Sequence, residues 1–319
     1  MDKNRKLLIA ILSLFVLCII VAVFDMSLRI QNTGSADEAT SGFTVKMPKF
    51  GPGIGVVRVS GPIEMSSQSQ LGIKTGAEAI IARLDSLAAN PSIKAIVLRV
   101  NSPGGTVAAT QEIYQKLWQL RKRNIPLIAS MGDMAASGGY YISSACNLIY
   151  ANHGTMTGSI GVIAHSPNVK RLFDNLGIRM DVIKSGRYKD IMSSFRDMSE
   201  DERQLLRNML DSSHKRFVSD VSLGRNIPIN EIDPYADGRI LMGETAKEYK
   251  LIDELGGFED ALAKAKELAG LSPDAPVYEE STNPFQQLLF GLEARISGKK
   301  ILESVSTDDF YKFEYRYMQ

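Results

Sequence analysis

The chain has 319 residues, 44% of them hydrophobic and 23% charged, with 26 glycines and 12 prolines. That is the balance of a folded globular protein, which excludes disordered, collagen-like and disulfide-scaffold classes, and at about 150 residues per domain the length allows roughly two domains. Lysine and arginine number 37 against 36 acidic residues, a formal charge of +1, so there is no broad attraction toward nucleic acid. Cys18, Cys146, His153, His165 and His214 do not cluster at zinc-ligand spacing, and no metal, no cofactor and no disulfide is expected.

From Leu7 to Phe24 no residue is charged. Eighteen helical residues at about 1.5 Å each nearly cross a hydrocarbon core of about 30 Å, so this run reads as a transmembrane anchor. Lys3, Arg5 and Lys6 precede it, which keeps residues 1–6 cytoplasmic and exports the body to the extracytoplasmic face of the cell membrane. A cleaved signal peptide is disfavoured because VAVFDMSLR lacks a small-residue cleavage site, and Phe15-Val16-Leu17 before Cys18 does not suit lipoprotein processing. Residues 25–53, rich in Asn, Thr, Gly, Ser and Ala, read as a linker.

The body begins near Ile54. Gly55 to Val59 predicts a strand, and Thr75-x-x-Glu78 predicts a capping box opening a helix with Ile80, Ile81, Leu84 and Leu87 on one face. Ala95 to Val100 is an apolar strand leading through Asn101-Ser102-Pro103-Gly104-Gly105 into a helix that runs to about Arg123. The grammar repeats: strand Leu127 to Ser130, helix from Ser137, strand Leu148 to Ala151, helix Asn168 to Leu176, strand Met180 to Lys184. A second capping box, Ser199-x-x-Glu202, opens a long helix ending near Gly224, and helical patterns follow at Glu244 to Tyr249 and Phe258 to Ala269. Strands alternating with helices predict an α/β domain over 54–270. The extension 271–319 carries an amphipathic patch at 285–292 and the aromatic end FYKFEYRYM, which either packs on a neighbour or lies along the surface.

One cluster suits catalysis without a metal. Ser137, in Gly132-Asp133-Met134-Ala135-Ala136-Ser137-Gly138-Gly139, stands between a strand and a helix N-terminus. There a hydroxyl is either a nucleophile beside free amides or simply an N-cap. The glycines of 101–105 leave one strand end earlier, on the same edge of a parallel sheet, and suit an oxyanion hole as well as an ordinary turn. Ser159, in Thr157-Gly158-Ser159-Ile160-Gly161, is a third small-residue turn. No histidine has a motif marking it as a base. Lys189, in Lys184-Ser185-Gly186-Arg187-Tyr188-Lys189-Asp190, is either the base of a Ser-Lys dyad or a solvated charge, and as a base at neutral pH it would need its pKa lowered by roughly 3 units through burial.

Together, NSPGG at 101–105, DMAASGGYY at 133–141, TGSIGVI at 157–163, SGRYKDIMS at 185–193 and, downstream, DGRI with KLIDELGG resemble the SppA-type signal peptide peptidases, membrane-bound serine proteases of the ClpP/crotonase-like superfamily. The resemblance implies a ClpP/crotonase-like fold of repeated β-β-α and β-α units behind a single N-terminal transmembrane helix. It also implies Ser137 as nucleophile, Lys189 as general base and Ser159 as the hydroxyl orienting that lysine. The amides of Gly104 and of Ser137 itself are then the oxyanion hole. For a short family member it implies a homo-oligomeric ring of about eight subunits whose active sites are shared between neighbours. The partners implied are signal-peptide remnants and other apolar peptides, cut as extended strands. Two alternatives share the fold: a non-catalytic ring-forming scaffold binding hydrophobic peptides, and an acyl-CoA enzyme, which suits an exported location poorly.

Overall fold

The computed structural model describes residues 51–68, 74–279 and 314–316. The expected anchor at 7–24, most of the linker and the amphipathic patch at 285–292 lie outside them. No helix among the described residues is long and apolar enough to cross a membrane.

In chain order the elements are β1 (Gly53–Ser60), β2 (Ser67–Gln68), β3 (Lys74–Thr75), α1 (Ala77–Ala89), β4 (Ile93–Ser102), β5 (Gly104–Thr106), α2 (Val107–Lys122), β6 (Leu127–Ala136), α3 (Gly138–Ser144), β7 (Leu148–Ala151) and β8 (Met156–Gly158). Then follow α4 (Lys170–Asn175), α5 (Glu200–Arg225), α6 (Ile229–Ile232), β9 (Ile240–Met242), α7 (Gly243–Glu248), β10 (Glu254–Leu255), α8 (Phe258–Leu268), β11 (Val277–Glu279) and β12 (Glu314–Arg316). The main sheet runs β10-β7-β6-β4-β1-β11, with β8 on β6 and β9 on β8. Every pairing in it is parallel except β8 with β9. This is the parallel-rich α/β sheet expected, and it is consistent with a ClpP-like fold.

β1, β4 and β6 are buried along nearly their whole length, as their continuous apolar runs require of strands covered on both faces. The period-two alternation divides them cleanly. Val57, Val59, Leu98 and Val100 pack with Leu84 of α1, Ile113 and Leu117 of α2 and Tyr140 of α3. On the opposite face Ile54, Val56, Ala95 and Val97 pack with Ala261, Leu262 and Ala265 of α8.

Helix α3 sits in the larger core with both tyrosines fully buried. Tyr141 stacks on Phe217 of α5 with centroids 4.5 Å apart, and the Tyr140 hydroxyl donates to the Leu251 carbonyl at 2.9 Å. The C-terminal half of α5 buries Phe217, Val218 and Val221, whereas Leu205 and Met209 nearer its start are exposed. The capping box at Ser199 and Glu202 is formed in both directions.

Two expectations fail. The first helix is capped by Gly76 (φ 85°), not Thr75, with no side-chain cap. Its first two amides are met by the Glu64 and Met65 carbonyls at 2.8 and 3.2 Å, so backbone rather than a capping side chain satisfies them. Residues Met180 to Lys184 form no strand. Met180, Val182 and Ile183 are exposed, and a run with β pattern but no neighbouring strand to complete its hydrogen bonds stays irregular.

Candidate active site

Three strand ends meet on one edge of the sheet. The register pairs Ser102 with Ala135 and Ala136 with Gly158, so β4, β6 and β8 deliver the turns carrying Gly104, Ser137 and Ser159 side by side.

Ser137 joins β6 to α3 at φ 53°, ψ −114°. This is the mirror image of extended backbone, open to glycine and costing a residue with a Cβ on the order of 1–3 kcal/mol. The residue is 1% exposed. Its amide donates to the Gly158 carbonyl and its own carbonyl accepts from the Tyr141 amide, both at 2.8 Å. The strained conformation is therefore held from both sides. The hydroxyl makes no cap bond to α3, which removes the N-cap reading.

The Ser137 amide, expected in the oxyanion hole, is thus already spent on Gly158. Gly138 follows it as the first residue of α3, where an amide has no acceptor within its own helix. A Cβ at Gly139 would lie 2.8 Å from the Ser102 carbonyl, so only glycine lets α3 press against the end of β4.

Gly104 (φ 101°) is buried. Its amide donates to Ser102 Oγ at 3.1 Å, and its carbonyl accepts from the Ile63 amide at 2.8 Å. β5 continues through Gly105, where a Cβ would overlap the Ile63 carbonyl. Along β5 lies β12, antiparallel, with Glu314 opposite Thr106, Tyr315 opposite Gly105 and Arg316 opposite Gly104. The same short strand runs beside α3. Residues 314–316 thus lie as a strand beside the turn that carries Gly104.

Ser159 (φ 51°) is 7% exposed, and its amide donates to the Arg239 carbonyl at 2.8 Å. Thr157 Oγ1 donates to the Ala135 carbonyl at 2.7 Å, fixing the turn to β6. Ser137 and Ser159 are therefore tied together through Gly158.

Lys189 is not gathered in with them. It sits in an irregular turn, its amide donating to the Gly186 carbonyl at 3.3 Å, and it is exposed. Among the described residues no hydrogen bond or ion pair joins its ammonium to Ser137 or Ser159. The neighbouring Asp190 carboxyl is held well below the usual carboxylate range, first by hydrogen bonding from Arg196 and then from Lys184. Hydrogen bonding from Arg196 also brings Glu202 down to about 2.

No histidine takes the base's place. His214 Nε2 lies 2.7 Å from the Ala236 carbonyl, and His153 and His165 are exposed. Burial pushes the Cys146 thiol up to about 12, so it is inert at neutral pH. The sequence reading passed over the buried Ser102 hydroxyl on the Gly104 amide and the Gly138 amide at the start of α3. The second was legible in part, since the first amide of a helix has no acceptor within that helix.

A buried hydroxyl on a strained turn, with a helix N-terminus directly behind it, is an arrangement for acyl transfer. Comparison with known proteins agrees. Residues 119–272, which include Ser137, Ser159 and Lys189, match Peptidase family S49, and residues 65–157 match Clp protease. A Synechocystis protein named as a protease is 45% identical over 204 residues, 63% of this chain and 73% of the relative. An Enterococcus faecium protein named as a signal peptide peptidase SppA is 36% identical over 239 residues, 74% of this chain and 68% of the relative. Protease 4 of Salmonella typhi is 40% identical over 200 residues, 63% of this chain but 31% of that longer protein. Strained serine, flanking glycine turns and these likenesses lead to one assignment: the chain belongs to peptidase family S49 and is a serine peptidase.

Proposed function

We propose that the chain is a membrane-anchored Ser-Lys endopeptidase that degrades signal-peptide remnants after their release from exported proteins. The observation carrying this reading is Ser137 itself, buried and conformationally strained, with a hydroxyl that serves no structural cap. Strain of that kind persists only where the surroundings enforce it, and it is drawn to functional sites.

In the proposed reaction Lys189 accepts the Ser137 proton, Oγ attacks the peptide carbonyl, and the oxyanion rests on backbone amides. The serine ester then forms as the amine departs with a proton, and water releases the acid. Gly104 contributes one amide, which exchanges Ser102 Oγ for the oxyanion. The second donor passes from Ser137, whose amide is committed to Gly158, to Gly138. Ser159 orients the lysine. Substrate adds as a strand along β5 in place of β12, whose pairing there supports an edge that accepts extended chain.

Lys189 comes to Ser137 from a neighbouring subunit of a ring of about eight. Supporting this, the segment 163–191 contributes no buried side chain, yet exposes Leu172, Leu176, Met180, Val182, Ile183 and Tyr188. An apolar arm of that size calls for a covering partner. Residues 7–24 hold the ring at the extracytoplasmic face of the cell membrane, where signal peptides are left.

The test uses the full chain in detergent with a fluorogenic apolar peptide. Ser137→Ala and Lys189→Ala are each expected to lose cleavage, and an equal mixture of the two, after subunit exchange, is expected to recover part of it. A Ser137→Ala protein that cleaves as wild type would refute the dyad, and a silent mixture would refute the shared site.

A further inference from the structure

The turn carrying Lys189 lacks regular structure, yet it is fastened at many points. Residues 184–195 form neither helix nor strand, and ordering such a backbone costs about 1–2 kcal/mol per residue. Arg196 meets that turn from its C-terminal side. Its Nε donates to Asp190 Oδ2 at 2.8 Å, and its Nη2 donates to Asp190 Oδ1 at 2.9 Å and to the Asp190 carbonyl at 3.0 Å. The other edge of the guanidinium grips Glu202: Nη1 donates to Oε2 at 2.8 Å and Nη2 to Oε1. Nη1 also donates to the Asp197 carbonyl at 3.0 Å.

Glu202 is 3% exposed, and its Oε2 accepts from the Ser199 amide at 2.9 Å, so the same carboxylate closes the cap of α5. One planar fork thus bolts the peptide unit next to Lys189 onto the N-terminus of the 26-residue helix α5. The far end of that helix stacks Phe217 against Tyr141, four residues beyond Ser137. Lys184 closes the turn by pairing with Asp190. Between them Arg196 and Lys184 occupy both oxygens of Asp190, so the carboxylate adjoining Lys189 in sequence is not left to capture its ammonium.

We infer that Arg196, through its double bidentate contact with Asp190 and Glu202, is a positioning residue that sets the place of Lys189 for proton transfer. Arginine suits the role because its fork spans two carboxylates at once, whereas a lysine ammonium meets one point. The inference rests on Lys189 being the base proposed above.

The experiment compares wild type, Arg196→Met, Arg196→Lys, Glu202→Gln and Lys189→Ala as full chains, measuring kcat and KM on the apolar peptide together with thermal unfolding. A base displaced by about 1 Å costs on the order of a hundredfold in rate. Arg196→Met is therefore expected to lower kcat about 30- to 100-fold with KM within about twofold of wild type, a pattern marking lost transition-state stabilisation rather than lost binding. Arg196→Lys is expected to recover part of kcat. A folded Arg196→Met with wild-type kcat, or with the loss confined to KM, would overturn the inference. If Arg196→Met fails to fold, Glu202→Gln carries the same test, expected to lower kcat about tenfold and overturning the inference if kcat stays unchanged. Full activity in Lys189→Ala would remove the base and this inference together. An inactive Lys189→Ala beside an unaffected Arg196→Met would remove this inference alone.

Discussion

A serine at φ 53°, ψ −114° carries its Cβ where glycine would meet no obstacle, and the hydroxyl is the reason to tolerate it. Activity and stability should therefore part company at this position. Ser137→Ala and Ser137→Gly are both expected to be inactive, but Ser137→Gly should unfold at higher denaturant concentration than Ser137→Ala. The gap should be about 1 kcal/mol, less than the full strain because glycine also gains freedom in the unfolded chain. Equal midpoints for the two would mean that the turn holds no strain. Gly105 is the opposite case, since a Cβ there overlaps the Ile63 carbonyl. Both positions stand out as short motifs of small residues, but the sequence alone could not tell a nucleophile from an N-cap at Ser137. That depended on the backbone angles at Ser137 and on its hydroxyl making no cap bond to α3.

At the scale of elements, α5 is a lever with its C-terminal half in the core and its N-terminus gripping the Lys189 turn. Its grip is ionic, which gives it a pH signature. Hydrogen bonding from Arg196 lowers the Glu202 carboxyl to about 2. A carboxyl lowered in the folded state stabilises fully above its unfolded value, about 4.3, and that contribution is lost as pH falls from there toward 2. Urea midpoints of wild type should drop between about pH 5 and pH 3 more steeply than those of Glu202→Gln, which has no proton to take up there. Parallel slopes would show that the carboxylate does not couple to folding. The capping box at Ser199 was readable because both of its residues lie within one turn. The failed box at Thr75 and the missing strand at Met180 to Lys184 share another cause: in each, long-range backbone partners, or their absence, outweighed the local pattern.

For the whole molecule, the site edge is already occupied by the chain's own end. β12 pairs with β5 at Gly104 and lies beside α3, on the edge proposed for substrate. A strand of the same chain competes with added peptide intramolecularly, independent of protein concentration. Deleting residues 312–319 is expected to lower the apparent KM for the apolar peptide several-fold with little change in kcat, and an unchanged KM would show that the tail does not compete with peptide. The exposed apolar side chains of segment 163–191 set a second expectation, that of a covering neighbour, which the mixing of Ser137→Ala with Lys189→Ala probes through activity.

Much of this was determined by sequence alone. Apolar runs marked the buried parallel strands, helical periodicity marked the helices, and four ordered motifs marked the peptidase family, because each is written in residues close together along the chain. What only the tertiary structure decided involves groups distant in sequence. The Gly158 carbonyl takes the Ser137 amide; Arg196 binds Asp190 to Glu202; and β12 returns to the strand that carries Gly104. Hydrogen bonds between distant segments are settled by which strand ends the sheet brings together, and no local pattern of residues encodes that.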